Sequence, residues 1–583
     1  MKLSHPTSLK HSLIDLAVRS SIIAMGLTHA NAHAADILVT SIFDDNGNGC
    51  TLREAINSAN NSVDLNNGCA IGSASGVDRV VLSDTIFASN SVITLSNGQL
   101  QLDNKNIDIS AASVSGGVTI SANNASRVMQ INGGSVRLEN LTIADGNAYN
   151  TQENTIPGGG LNISNGAVVN VYQSHITNNQ AVRRGGGISL SGSSSLTLNN
   201  SSVTNNATRQ ANSAISTSQF RGGGIYVADN NVLTVNDSII SENTVGGGTS
   251  TIAGGLYAKN NNSISITNSS ISNNNGNGIS IRSGTNLDLI DSVLDSNRSR
   301  GSVAALDATG SGDINIIRST IKNHLNGTIQ GIIEISDKNF YMVDSTISNN
   351  LNAGFGNLAA GGLELQDVNG TIENSTFSNN TLAFVTTSSV PSDFYLGAGA
   401  AMTIGSSQIT LNNVTAFENR LMISNQMLTA DTPLQALDNA YFPLFIAPQS
   451  SVSIQNSIIH NSTEGEYNSA CGFIAVTPES ITVDVDASSI ISGGNCGALR
   501  SGDPGLLPLA DNGGPTQTNA LAANSIAINT GDTNTCLDTD QRGEQRDTQC
   551  DVGAFERLPL DSDPSSTSFI IPLPNGKTVI FDL

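Results

Sequence analysis

Tryptophan is absent from this chain, and aromatic residues make up only 4% of it. Sugar-binding clefts commonly present aromatic faces, so a carbohydrate site would have to be built from a few tyrosines. Basic residues are also scarce, since 25 Lys and Arg stand against 48 Asp and Glu, for a formal charge of −23. Such an acidic protein repels nucleic acid and acidic polysaccharide, which excludes a nucleic-acid partner and favours a neutral glycan if the ligand is a carbohydrate.

No apolar run is long enough to span a bilayer. The N-terminus carries Lys2, Lys10 and Arg19, then the short apolar stretch Ile22–Leu27, then small residues ending at Ala34. This order is typical of a secretory signal peptide, and we predict residues 1–34 as one. The mature chain would carry a charge of about −25 and be exported.

The rest of the chain is organised around a repeated unit, first seen clearly from Gly158 to Asn179. Apolar and polar residues alternate in each of its three short runs, which is the pattern of strands with one buried face. The apolar residues of the closing runs recur about 23 to 42 residues apart, as in a solenoid. These markers are Ile143, Ile176, Val203, Ile240, Ile271, Leu294, Ile321, Ile347, Phe377, Phe417, Ile459 and Ile491.

Glycine and asparagine recur at the ends of these runs. Asparagine tolerates the left-handed conformation that a tight bend needs, and stacked asparagine side chains can pair from coil to coil. We therefore predict an all-β protein, a right-handed parallel β-helix over residues 76–500. About a dozen coils would make a rod on the order of 60 Å long.

The chain has 6 cysteines, which in an exported protein indicate disulfides. Six cysteines allow 15 pairings, and we expect nearest neighbours to pair because the intervening repeats hold the clusters apart. Each loop of about 15 to 25 residues would contribute roughly 3 kcal/mol. The expected pairs are Cys50 with Cys69, Cys471 with Cys496, and Cys536 with Cys550.

An amphipathic helix is predicted directly after Cys50. Thr51 and Glu54 have the spacing of a capping box, and Leu52, Ala55 and Ile56 share one helical face. A solenoid needs its end coil covered, so residues 35–75 are interpreted as an N-terminal cap.

The stretch from Cys50 to Ile56 resembles the CSLREA motif of bacterial surface β-helix proteins, with Thr51 where that motif has Ser. Near the C-terminus, Leu509–Thr516, Asp540–Gly543 and Asp551–Glu556 resemble the signature of choice-of-anchor Q proteins. The resemblance covers nearly all of the mature chain. It implies a secreted or surface β-helix, located outside the cell or on the outer surface of a bacterium, and it implies no agreed activity.

Some positions depart from that signature: Asn519, Ile526 and Asn529 stand where the family usually has His, Pro and Asp, so no ligand role is carried over to them. Residues 501–558 are interpreted as a C-terminal, disulfide-stapled cap whose Ala554 and Phe555 plug the last coil. Residues 559–583 are interpreted as a linker and a terminal hairpin around Asn575-Gly576.

Exported β-helices are often polysaccharide lyases or hydrolases, so carboxylates in the strands are the catalytic candidates. Glu334 and Glu364 stand one repeat apart and can face each other, although outward, solvated positions are the simpler interpretation. The other carboxylates in strands are Asp288, Asp313, Asp484 and Asp486.

Three histidines remain after the signal peptide, and we interpret His175, His324 and His460 as surface residues. Tyr226 and Tyr257 occupy matching repeat positions and should stack as a structural ladder; Tyr149 and Tyr172 extend the row in sequence.

A calcium site is the one cofactor that the sequence suggests. Asp44, Asn46 and Asn48 resemble the start of a calcium loop, but Glu54 lies one place before the closing acid and is also needed for capping.

The sequence therefore favours a non-enzymatic, monomeric surface protein that displays loops to a glycan or cell-surface partner. The alternative is a carbohydrate-active enzyme, a polysaccharide lyase or glycoside hydrolase of the pectate-lyase-like type. An outward carboxylate pair in adjacent coils with aromatic residues beside it would favour the enzyme. The two long insertions, near Asn380–Ala401 and Arg420–Pro448, should leave the rod on one side.

Overall fold

The structure is a computed structural model, and it confirms a right-handed parallel β-helix. It describes residues 34–44, 49–148, 157–209, 220–246, 253–299, 303–327, 331–353, 360–385, 399–424, 442–460, 470–473, 481–493, 496–558, 569–572 and 578–581. Each full coil contributes up to four short strands, and every strand pairs in parallel with its counterpart in the coils before and after it. Corresponding strands therefore form four ladders along the rod.

The first ladder consists of Leu161–Ser164, Ile188–Ser191, Ile225–Ala228, Leu256–Lys259, Ile279–Arg282, Leu306–Thr309, Ile333–Ser336, Leu363–Gln366, Met402–Gly405, Leu444–Ile446 and Cys471–Phe473. The second consists of Asp36–Leu38, Asp78–Val81, Val168–Tyr172, Ser195–Asn199, Val232–Asn236, Ser263–Thr267, Asn286–Ile290, Asp313–Ile317, Asn339–Val343, Asn369–Glu373, Gln408–Asn412, Ser450–Gln455 and Ile481–Val485. Two long strands, Leu100–Ser110 and Met129–Glu139, belong to both ladders.

The third ladder consists of Ser91–Thr94, Val118–Ser121, Leu141–Ala144, His175–Thr177, Ser202–Thr204, Ile239–Ser241, Ser270–Ser272, Val293–Asp295, Thr320–Lys322, Thr346–Ser348, Thr376–Ser378, Thr415–Phe417, Ile458–Ile459 and Ile490–Ile491. The fourth consists of Asn147–Ala148, Gln180–Val182, Ala207–Arg209 and Thr244–Val245, then Arg298–Ser299, Leu325–Asn326, Leu351–Asn352, Thr381–Val385 and Arg420–Ser424. Antiparallel pairs form between Leu506–Ala510 and Thr518–Leu521, and between Phe569–Pro572 and Thr578–Phe581.

Alternation within each strand builds one continuous core along the rod. In Val168–Tyr172, for example, Val169 and Val171 are almost fully buried while Val168 is exposed. The register places these two side chains beside Leu196 and Leu198 of the next coil. Because every coil repeats this arrangement, like residues stack on like along the axis.

Eleven of the twelve predicted marker positions lie in register in the third ladder, and one is wrong by a residue. Phe377 is in register with Ala416, which is fully buried, and not with Phe417. Phe417 instead stacks on His460 with ring centroids 5.9 Å apart. The sequence pattern predicts the larger residue, Phe417, in the core, but the strand places the smaller one, Ala416, there.

Polar ladders hold the corners between strands. After the third ladder, Asn179, Asn206, Asn243 and Asn274 stack, and each Nδ2 donates to the next residue's Oδ1 or, for the last, to that of Asn297, at 2.9–3.1 Å. Each backbone N–H of these four residues donates to the same oxygen at 3.0 Å.

A serine ladder holds the corner between the second and third ladders in the same way. The backbone N–H groups at these corners, which do not take part in strand pairing, therefore find acceptors in the side chains inside the rod.

The two expected roles of asparagine fall on different residues. Asn178 and Asn205 adopt left-handed backbone conformations, with φ of 57° and 56°, and make the bend. Asn179 and Asn206, one position later, are fully buried and make the stack. The Asn-Asn pair of each repeat therefore divides bending and hydrogen bonding between its members.

The predicted N-terminal cap is present as helix α1, Leu52–Ser58. Thr51 Oγ1 accepts from Glu54 N (3.2 Å), and Glu54 Oε2 accepts from Thr51 N (3.0 Å), which is the expected capping box. Leu52, Ala55 and Ile56 are buried against the first coils. The described part of the chain contains no helix long and apolar enough to cross a membrane, and the predicted signal peptide lies outside it except for Ala34.

The cysteines pair as Cys50–Cys69, Cys471–Cys496 and Cys536–Cys550, the nearest-neighbour arrangement. The expectation that Ala554 and Phe555 plug the last coil is wrong. Ala554 N donates to Thr415 Oγ1 (2.9 Å), and Phe555 packs in a separate apolar cluster with the outward side chain of Ile458. The C-terminal segment thus covers the flank of the last coils, where the third ladder would otherwise expose apolar side chains.

Buried ion pairs hold this irregular segment. Arg542 Nε donates to Asp540 Oδ2 (2.8 Å), and the Arg542 guanidinium lies 3.8 Å above the Phe555 ring. Arg546 and Glu556, both almost fully buried, pair at 3.0 Å. Gln541 reaches between coils to bond with Thr346 and Thr376.

Both long insertions are shorter than expected, because their ends are strands. Thr381–Val385 and Arg420–Ser424 pair with each other in the fourth ladder, so the two insertions follow adjacent strands of the same ladder. The apolar stretch before Pro448 is not a loop, since Leu444 and Ile446 are core residues of the first ladder. The residues between, 386–398 and 425–441, lie outside the described part, as does the turn at Asn575-Gly576.

Candidate functional site

The outward positions of the first ladder form a row of polar and aromatic side chains, one per coil. We call it the outward row; its members, in register from coil to coil, are Ser189, Tyr226, Tyr257, Ser280, Asp307, Glu334, Glu364 and Thr403. Each lies between two inward-facing core residues of its strand. Adjacent members are one coil apart, or about 4.8 Å along the axis.

The predicted stack of Tyr226 on Tyr257 is confirmed, with ring centroids 5.6 Å apart and planes 4° from parallel. Arg184 lies 5.3 Å from the Tyr226 centroid, and Arg221 lies 5.0 Å from the Tyr257 centroid. Burial raises the pKa of both phenols, although the arginines oppose the shift. One face of each ring is taken by the other ring, so the pair supports guanidinium groups and does not offer an open platform for a sugar.

The next two positions are a serine and an ion pair. Ser280 is fully buried, and its hydroxyl has no hydrogen-bond partner. Arg282 forms a bidentate pair with Asp307, which is also almost fully buried. Burial disfavours the guanidinium charge, but the bonds to Asp307 outweigh it and raise the pKa of Arg282.

Glu334 and Glu364 are in register in adjacent coils. They point outward as expected, but they are half-buried, so the interpretation as freely solvated residues is wrong. Burial, then the charge of Asp307, raises the pKa of Glu334 to about 7. Burial, then the charge of Glu334, raises the pKa of Glu364 to about 8, against a bond from Gly331 N (3.0 Å) that favours its charged form.

The two carboxyl groups therefore titrate near neutrality as a coupled pair, because two adjacent half-buried negative charges repel. Glu334 Oε2 is buried without a hydrogen-bond partner, whereas Glu364 Oε2 accepts from Gly331 N. Hydrolysis of a glycosidic bond uses one protonated and one charged carboxyl group about 5 to 10 Å apart. A shared proton and a spacing of about one coil are compatible with that chemistry.

The other carboxylates predicted in strands, Asp288, Asp313, Asp484 and Asp486, do not lie beside this pair. Asp288 accepts from Asn315 Nδ2 (2.7 Å) in the second ladder, and Asp313 accepts from Asn339 Nδ2 (2.7 Å). Asp484 is exposed, and Asp486 accepts from backbone and serine donors in the last turn.

One histidine is not a surface residue. His175 is exposed and bonds to Ser202, and His460 is partly buried, with a pKa that burial lowers. His324, in contrast, is fully buried inside the asparagine ladder, and burial lowers its pKa to about 4. It occupies a ladder position because its Nδ1 can accept from the preceding coil as an amide oxygen does.

Asp44 lies where the calcium loop was suggested, but its carboxylate is shared among protein donors. Arg53 pairs with it through Nε (2.9 Å) and Nη2 (2.8 Å), and the amides of Ser96 and Asn97 donate to it. Asn46 and Asn48 lie outside the described residues. Within those that are described, no group of three or more His, Cys, Asp or Glu side chains is placed to hold a metal ion.

Sequence reasoning missed Arg184, Arg221, Arg282 and Asp307 as members of the site. The signal for the first two is visible in the sequence, since both precede a glycine triplet at matching repeat positions. The glycines are required there because a side chain on Gly186 or Gly223 would meet backbone oxygen of the neighbouring coil within 2.7 Å. The ion pair of Arg282 with Asp307 joins residues of adjacent coils and needs the register.

Comparison with known proteins supports the fold class. Residues 253–427 match the family model described as right handed beta helix region. Among solved structures, the chain is similar to pectate lyase Pel9A, at 12% identity over 91% of this chain and 98% of that one, with a TM-score of 0.30. No curated protein matches the chain. The family model and the parallel strand ladders together show a right-handed parallel β-helix protein.

Proposed function

We propose that the protein is an exported carbohydrate-active β-helix protein that hydrolyses a glycan at the Glu334 and Glu364 pair. The observation that carries this proposal is the in-register pair of Glu334 and Glu364, whose pKa values lie near 7 and 8. A proton shared by such a pair supplies a general acid and a charged partner at the same pH. The three disulfides support export, because disulfides persist in oxidising compartments.

The test is release of reducing ends from a glycan panel by the purified protein. Glu334→Gln and Glu364→Gln each keep the shape of the side chain and remove the titrating group, so each should lower kcat by 100-fold or more, on the order of a lost general acid or base. Asp288→Asn is the matched control, since that carboxylate also points outward but is bonded to Asn315. Equal activity of the control and both glutamate variants would contradict the proposal.

A pH profile sharpens the test. Activity should follow a bell shape with limbs near neutrality, and Glu334→Gln or Glu364→Gln should remove one limb. Products with an unsaturated uronate would instead indicate elimination, for which this pair is not arranged.

A second candidate is a non-enzymatic surface protein, as implied by the resemblance to CSLREA and choice-of-anchor Q proteins. It is favoured by the paired strands Thr381–Val385 and Arg420–Ser424, because the two long insertions of the sequence follow adjacent strands of one ladder. Deleting residues 425–441 should abolish adhesion to cells or glycans if these segments form the binding surface. Adhesion unchanged by that deletion would contradict this candidate.

A further inference from the structure

Two arginines lie side by side at the start of the outward row. Arg184 and Arg221 are paired in parallel from one coil to the next, so their Cα atoms are one coil apart. Each guanidinium lies over a tyrosine of the following coil. The stacked rings of Tyr226 and Tyr257 therefore hold two positive charges close together.

Within the described chain, neither guanidinium forms a salt bridge or a side-chain hydrogen bond. Arg221 Nε is buried without a hydrogen-bond partner. Elsewhere the arginines of this acidic protein are commonly neutralised: Arg53 by Asp44, Arg137 by Glu139, and Arg282 by Asp307. Two unneutralised, half-buried cations one coil apart repel each other, and an anion between them removes the repulsion.

A second observation points into the same place. Tyr226 is 3% exposed, and its hydroxyl has no hydrogen-bond partner. Its ring lies beneath Arg184, so a ligand held by the arginines would find a free donor next to it. A hydroxyl that is buried without a hydrogen-bond partner destabilises the fold, and a bound ligand that accepts a hydrogen bond from it would remove that cost.

We propose that Arg184, Arg221 and Tyr226 form a subsite for an oxyanion on a sugar, either a uronic-acid carboxylate or a sulfate ester. Planar guanidinium groups bind both anions through paired N–H donors. The proposal rests on the function proposed above, since it places an acidic sugar about four coils, or about 19 Å, from Glu334. It reverses the preference for a neutral glycan, which was drawn from the charge of the whole chain.

The test is binding, which requires no turnover. The full mature chain is titrated with polygalacturonate, dextran sulfate and neutral dextran by calorimetry at low salt. We expect binding of at least one polyanion and none of dextran; preference for polygalacturonate assigns a carboxylate, and preference for dextran sulfate assigns a sulfate ester. Absence of polyanion binding, or equal binding of dextran, would overturn the subsite.

The double variant Arg184→Gln with Arg221→Gln should weaken polyanion binding at least tenfold. The matched control is Arg318→Gln, which removes an exposed arginine that pairs with Asp291. Equal losses in the double variant and in the control would show non-specific attraction and overturn the site.

The Tm of the double variant distinguishes a ligand-binding role of the arginines from a structural one. The double variant should keep or raise the Tm, because it relieves repulsion; a marked fall would show that the arginines are structural, and would overturn the subsite. Glu334→Gln should retain polyanion binding. Binding without hydrolysis would therefore reject the catalytic proposal alone, and hydrolysis unaffected by the arginine variant would reject the subsite alone.

Discussion

His324 makes the stability of the asparagine ladder depend on pH. Its Nδ1 faces the backbone N–H of Asn297 (3.1 Å), and its Nε2 faces Leu294 O (3.1 Å). The N–H of Asn297 needs an acceptor, so Nε2 carries the proton and the ring is neutral. Protonation of Nδ1 would place its N–H against the N–H of Asn297, and the site is buried from water, so the imidazolium form is disfavoured.

The size of the effect follows from the pKa, which falls from 6.5 to about 4 on folding. Between these values the unfolded chain binds the proton and the folded chain does not, so stability is lost as pH falls through this window. The shift corresponds to about 3 kcal/mol by pH 4. At pH 7.5 the same histidine has no such cost.

The perturbation is His324→Asn, which restores the amide found at neighbouring ladder positions. Urea unfolding should show the variant within about 1 kcal/mol of the parent at pH 7.5 and more stable than it by about 3 kcal/mol near pH 4. Hydrogen exchange of the peptide that contains Asn297, corrected for intrinsic rates, should report the same difference locally. Parallel loss of stability in both proteins on acidification would refute the argument.

Other predictions concern the cap, the corners, the flank and the candidate site. Thr51→Ala should cost about 1 kcal/mol and hasten hydrogen exchange of the first coils, whereas Thr51→Ser should not. Asn243→Ala leaves a carbonyl and two donors of the preceding coil unpaired, and should lower the free energy of unfolding by about 3–5 kcal/mol in a denaturant titration. Replacing Cys536 and Cys550 by Ser should lower the Tm and let protease release the C-terminal segment from the rod flank, with a loss of about 3 kcal/mol. Because folding raises the pKa of Glu364, stability should fall as pH rises from about 4.5 to 8, and Glu364→Gln should flatten that slope in thermal scans.

The fold was readable because each coil repeats one local rule. Strand alternation, the glycines before each first strand and the Asn-Asn pairs all report on backbone geometry within a single coil. The wrong prediction for Phe417 shows where local pattern is insufficient. Where two apolar residues are adjacent, as Ala416 and Phe417 are, the pattern does not indicate which of them faces the core. The capping box at Thr51 and Glu54 is equally local, and it was predicted correctly.

The candidate site was less readable because it depends on relations between coils. The register of Glu334 with Glu364 could be guessed from the repeat, but their desolvation could not. The bond from Arg282 to Asp307 joins residues 25 apart. The flank position of Phe555 follows from the outward side chain of Ile458, which the sequence does not mark as different from a core residue.

The corner ladders have a direction, because the amides of each coil donate to a side-chain oxygen of the coil that follows. Removing or adding a whole coil in the middle of the rod therefore breaks and remakes the same set of bonds, whatever the length of the rod. Coil number is free to change by duplication or deletion so long as the corner residues are retained. A gene for such a protein can lengthen its outward row one coil at a time without changing the core.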